Sequence, residues 1–272
     1  MGWQQDWRDG KRWLNVGLGL MAAALAVGLQ MPRLQRATGG ESAVDSRNWV
    51  AQEEIRLQAL KLLPERGFGF RNMVANWTFL SFLQYFGDDV ARDTHGTGYT
   101  LSGDYFDIIV RSDPRFVYSY LYLSTAISMY SADPRRAIAL YRQGLPFLDP
   151  KLQPNAFLVW RFRGIDELLF LGDGSAARQS FAQAAEWAEI AAERAANPED
   201  LRLGAQVSRQ TAAFLAENPA SLPARRGAWK SVLALARDRK TVERAVLELR
   251  ALGTEATFVP GEGWRFRRLG GT

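Results

Sequence analysis

The chain has 272 residues, 47% of them hydrophobic, enough to build a sizeable core and too apolar for global disorder. It contains no cysteine, which excludes disulfides, thiol catalysis, thiolate metal sites and a lipid anchor on cysteine. The net charge of +5 is mild but uneven: from Leu222 onward eleven basic residues stand against five acidic ones, a +6 tail on a nearly neutral remainder. Such a tail suits an anionic partner or an anionic membrane surface, and equally a solvated helix face.

Residues 1–13 read as a short tail containing Trp3, Trp7 and Trp13, and residues 14–31 (LNVGLGLMAAALAVGLQM) carry no charge. Eighteen helical residues span roughly 27 Å, enough for the hydrocarbon core of a bilayer. The tryptophans before the run match interfacial anchors, and Pro32, Arg33 and Arg36 close it. The pattern predicts an uncleaved transmembrane anchor. A cleaved signal peptide is the competing reading, because Ala24-Leu25-Ala26 has the small-x-small form of a cleavage site. Arg8, Lys11 and Arg12 before the run nearly balance Arg33, Arg36 and Arg47 after it. The short N-terminal tail then favours a C-terminal domain on the periplasmic or lumenal side of a plasma or thylakoid membrane.

Residues 32–47 form a linker, Gly/Ser-rich from Thr38 to Arg47. A helix is predicted over 48–63, ended by Pro64, and a strongly apolar one over 72–86. From there the sequence repeats. A bulky aromatic precedes a small residue by four positions in Trp77/Ser81, Tyr120/Ser124 and Trp160/Gly164, the aromatics standing 43 and 40 residues apart. Ala137, Tyr141 and Gly144 recur forty residues later as Ala177, Phe181 and Ala184. Asp113-Pro114 and Asp149-Pro150 read as cap-and-proline helix starts. The pattern predicts antiparallel helical hairpins whose small residues permit close crossing.

These motifs resemble the tetratricopeptide repeat over residues 72–196, with a period near 40 where that family has about 34. The resemblance implies an all-α, right-handed solenoid spanning residues 48–196. The stretch GFGFRNMVANWTFLSFLQYFGDD from Gly67, together with Trp160 and DELLFLGD from Asp166, resembles a group of membrane-anchored repeat proteins of cyanobacteria. That likeness implies a photosynthetic or plasma membrane setting. Residues 197–272 read as three further helices and a small β-hairpin around Pro260–Gly263, with Phe258, Trp264 and Phe266 burying against the last helices.

Chemistry-bearing constellations are sparse. His95 is the one histidine and lies with Asp88, Asp89 and Asp93 in the inserted loop 87–100. No metal site, cofactor site or catalytic set is assigned. Asp166 and Glu167 are adjacent, so a helix aims them differently; Glu167 falls four residues after Arg163 and is expected to pair with it. Tyr118, Tyr120, Tyr122 and Tyr130 share one predicted helix and cannot all enter one buried stripe. The expected function is a tethered protein-interaction scaffold or assembly factor, with Tyr118, Tyr122 and Arg163 as groove contacts. Arg265, Arg267 and Arg268 are expected to touch an anionic lipid or partner; nucleic acid is not expected at a membrane. The alternative is an envelope enzyme or enzyme accessory using the 87–100 loop.

The anchor reading predicts that the mature protein stays in the membrane pellet after carbonate washing and retains Met1–Met31. An N-terminus at Val27 in the isolated protein would refute it.

Overall fold

The computed structural model describes residues 46–61, 70–88 and 98–269, with side chains from Val50 onward. The anchor segment 14–31, the linker up to residue 45 and loop residues 89–97 lie outside the described residues. Among the described residues no helix is long and apolar enough to cross a membrane.

The described chain is mostly helical and ends in one two-stranded antiparallel sheet. Helix α1 (Ser46–Lys61) and α2 (Arg71–Gly87) precede α3 (Ser102–Ser112). A helical run then begins as α4 (Val117–Tyr120) and widens into a π-helical segment, Ser124–Met129. It is answered by α5 (Pro134–Gly144). Helix α6 (Phe157–Asp166) likewise widens into a π segment, Glu167–Leu171, and is answered by α7 (Gly174–Ala192). Helices α8 (Glu199–Glu217), α9 (Leu222–Leu235) and α10 (Arg239–Ala251) follow, then β1 (Thr254–Val259) and β2 (Gly263–Arg268).

Two consecutive hairpins repeat in detail. Each first helix passes through a π segment and then a left-handed residue, Ala132 (φ 51°) or Gly172 (φ 71°). Each second helix then starts under an aspartate cap. The Asp133 carboxylate accepts from Arg136 N at 3.3 Å, and that of Asp173 accepts from Ala176 N at 2.9 Å. Asp113 and Asp149 do not cap helices as the sequence suggested. Each accepts the N–H two residues on, Arg115 N at 3.0 Å and Lys151 N at 2.8 Å, closing an Asx turn before α4 and α6 begin.

The small residues sit where the hairpins cross. A Cβ on Gly144 would overlap the phenol of Tyr120, which is fully buried and donates to Pro114 O at 2.8 Å. A Cβ on Gly164 would lie 3.0 Å from Phe181 Cε2 and 3.3 Å from Ser180 Cβ. Trp160 is half-buried, its ring edge-on to Trp187 of α7 at 5.8 Å. The C-terminal elements are not a separate layer. Trp229, Val232 and Leu233 of α9 with Ala245 and Leu249 of α10 form one apolar cluster with Ala132 and Phe170 from the two hairpin turns. Ala256 and Trp264 of the sheet pack on that cluster, whereas Phe258 and Phe266 are exposed, contrary to the expectation that all three rings would be covered. Strand alternation places Phe258, Trp264 and Phe266 on one face, where Phe258 lies against Trp264 and Phe266 lies under Lys230 of α9.

Gly144→Ala and Gly164→Leu should each cost about 1–3 kcal/mol through overpacking. A thermal midpoint unchanged by both substitutions would contradict the close-crossing arrangement.

Candidate functional site

Helix α2 carries a single charge, Arg71, and is apolar on nearly every face. Its core side is Ala75, Thr78, Phe82 and Tyr85; Phe82 meets Phe106 of α3 with ring centroids 4.6 Å apart. The opposite side presents Phe70, Met73, Trp77 and Leu80, spaced i, i+3, i+7 and i+10, and all four are exposed, Trp77 by 64%. Four uncovered large apolar side chains on one helix stripe form a contiguous patch of the kind that marks an interaction surface. On α2's flank, Phe79 touches Phe116 and Tyr122 at 5.0 and 5.3 Å, so this helix adjoins the tyrosine-bearing segment.

Comparison with known protein families, with curated proteins and with solved structures finds no match to the chain.

Tyr118 is 59% exposed and its hydroxyl accepts from Asn155 Nδ2 at 3.3 Å; Tyr122 is 37% exposed, with one ring edge against Phe79. Tyr120 is buried. Arg163 is turned inward: its Nε donates to Glu167 Oε1 at 2.8 Å, its guanidinium lies 5.1 Å from the Trp160 ring centre, and its side chain is only 17% exposed. It serves the interior of its own hairpin and not an open groove. In the tail, Arg265 pairs with Glu262 and Arg267 with Glu255, while Arg268 is exposed. Asp89, Asp93 and His95 lie outside the described residues.

Trp77, matched in spacing to the buried Tyr120, is itself exposed, and so is Leu80. Their partner Ser81 is buried and accepts from Arg56 Nη2 of α1 at 2.7 Å, but the core ring at this level is Phe82. A helix apolar all round has no unique inward face, so a motif match cannot tell which ring turns in. The signal available in the sequence was that lack of a polar face.

The second unusual site is internal. Asp166 and Glu167 open the second π segment, and both are buried. Asp166 accepts from Ser124 Oγ at 2.5 Å and Ser128 Oγ at 2.7 Å, both on the first π segment. Glu167 accepts from Ser180 Oγ of α7 at 2.6 Å as well as from Arg163. The adjacent carboxylates therefore face different neighbours, one across the seam between hairpins and one within its own hairpin. Burial pushes the Asp166 carboxyl up to about 7; the two serine hydroxyls oppose the shift and the charge of Glu167 adds to it.

An aspartate whose folded pKa exceeds its unfolded value of about 4 binds its proton more tightly in the folded state. Its contribution to stability is complete below about pH 4, declines as pH rises toward about 7, and is lost above that. Asp166→Asn should abolish this slope, worth on the order of a few kcal/mol, and so stabilise the protein at pH 8 relative to the parent. Urea midpoints at pH 5 and pH 8 read the effect; parallel profiles for parent and variant would show that Asp166 does not titrate there.

Proposed function

We propose that this chain is a membrane-tethered scaffold or assembly factor whose stacked hairpins, of the right-handed tetratricopeptide-like kind, hold a protein partner beside the bilayer. The observation that carries the reading is the uncovered apolar stripe of Phe70, Met73, Trp77 and Leu80 along α2. Anchors at i, i+3 and i+7 suit an apolar helix of the partner laid against α2. The exposed Tyr118 supplies a second contact on an adjoining element.

The size of the stripe supports a tether. Four such side chains offer on the order of 500 Å², below the roughly 800 Å² per partner of a stable free interface. Residues 14–31 as an anchor would hold both proteins at one membrane and raise their effective concentration, so a modest patch suffices. The resemblance to cyanobacterial anchored repeat proteins points to a subunit of a photosynthetic or other membrane complex as the partner.

The test is site-specific photocrosslinking in native membranes, with a benzophenone amino acid replacing Trp77 or Tyr118 in the full chain and Leu203, exposed on α8, as control. Discrete adducts to the same protein from positions 77 and 118, absent from 203, are expected. Met73→Ser with Trp77→Ser should weaken co-purification of that protein about tenfold or more. Both sites are exposed, so thermal stability should be nearly unchanged. Adducts to no protein from position 77 would overturn the proposal.

A further inference from the structure

A cleft of about 220 Å³ lies between the start of α9 and the terminal hairpin, lined by Pro223, Arg226, Gly227, Lys230, Thr254, Phe266, Arg267 and Arg268. Four of these residues are cationic and none is acidic. Arg267 has its own carboxylate, Glu255, at 2.6 Å. Arg226 uses Nε on Leu252 O at 2.8 Å, which fixes the side chain and leaves its terminal nitrogens for another acceptor. Lys230 stands 4.6 Å above the ring of Phe266.

Two further features have no explanation in the protein alone. Thr254 is 3% exposed and its Oγ1 makes no hydrogen bond, although it lines a cationic cleft. A buried hydroxyl without a partner is costly, and a ligand oxygen would satisfy it. Helix α9 also begins with no side-chain cap and no acid in its first turn, and places Arg225 and Arg226 at that end. Cations at the positive end of a helix dipole are unfavourable unless an anion sits among them.

We propose that this cleft binds a phosphate group, held by Arg226, Lys230 and Arg268 and by the hydroxyl of Thr254. Strand pairing sets Thr254 directly opposite Arg268, so the two share one face of the hairpin and reach the same ligand. The group is either the headgroup phosphate of an anionic lipid or a soluble phosphate; both present the same charged oxygens to guanidinium, ammonium and hydroxyl donors. The inference does not depend on the scaffold reading, since it rests on different residues.

The experiment uses the full chain in two arms. In detergent, inorganic phosphate is titrated against the thermal midpoint. In nanodiscs, pure phosphatidylcholine is compared with phosphatidylcholine containing phosphatidylglycerol. A saturable rise in the first arm identifies a soluble phosphate; a rise confined to phosphatidylglycerol discs identifies a lipid headgroup. Lys230→Gln and Arg226→Gln should weaken binding at least tenfold, while Arg202→Gln on α8 should leave it unchanged. Thr254→Val keeps the side-chain shape and removes the unpaired hydroxyl. It should raise the midpoint without ligand and shrink the ligand-induced rise, a combination that simple damage to the fold does not produce. No saturable rise in either arm, or an equal loss in Arg202→Gln, overturns the proposal.

Discussion

The arrangement depends on one constraint: the carboxylate of Asp166 is buried and must be satisfied from the neighbouring hairpin. Ser124 and Ser128, four residues apart on the π-helical segment of that hairpin, both donate to it. A π segment widens the turn and shifts the angular phase of everything after it. In the next hairpin Asp166 and Glu167, at the start of the second π segment, are both buried and face different neighbours. The seam thereby fixes the register of one hairpin on the next. It also sets the positions of Ala132 and Phe170, on which α9 and α10 pack. Helices α9 and α10 and the terminal hairpin are therefore placed by the turns of the repeats.

Other charges follow the same logic of linking elements. Lys61 of α1 and Arg136 of α5 both bind Asp104 of α3, at 2.6 and 2.9 Å, and Arg136 also reaches Asp107 at 2.5 Å. Burial alone would raise the Asp104 carboxyl; the hydrogen bonds and charges of Lys61 and Arg136 outweigh it and hold it below its usual range. Gly103 belongs to this cluster, since a Cβ there would run into the guanidinium of Arg136. Partly buried ion pairs add little net stability against hydrophobic replacements, but a mispaired register would leave such charges stranded. Their effect here is to make one stacking order of three helices strongly preferable to its neighbours.

Much of this was legible from residues. The aromatic-to-small spacing located the crossing at Gly164, and the i, i+4 rule located the Arg163–Glu167 pair. The Pro260–Gly263 turn marked the hairpin. The π segments were not legible. Nothing in STAISM or ELLFL distinguishes a π turn from an α turn; the partners Asp166 finds across the seam and Glu167 finds within its own hairpin come only with the fold. For the same reason the candidate contacts divided. Tyr118 faces outward as the crowding of tyrosines required, while Arg163, read as a groove contact, is consumed by its own ion pair. Trp77 matches Tyr120 in spacing but is exposed where Tyr120 is buried, because α2 offers Phe82 as a competing core ring.

The basic tail illustrates how structure turns a composition into a location. Its acids are all engaged: Glu243 with Arg239, Glu248 with Arg244, Glu255 with Arg267, Glu262 with Arg265, and Asp238 as the cap of α10. Those exposed pairs are worth little individually and weaken in salt. Their consequence is subtractive, since they cancel charge along α10 and on the outer face of the hairpin. Of the cations left over, Arg226, Lys230 and Arg268 gather around one cleft, while Lys240 and Arg250 stand exposed elsewhere. Like charges gathered there repel one another, with a screening length of about 8 Å at physiological ionic strength. The fold sustains that repulsion next to an unpaired threonine hydroxyl and an uncapped helix end, and a bound anion would relieve all three at once.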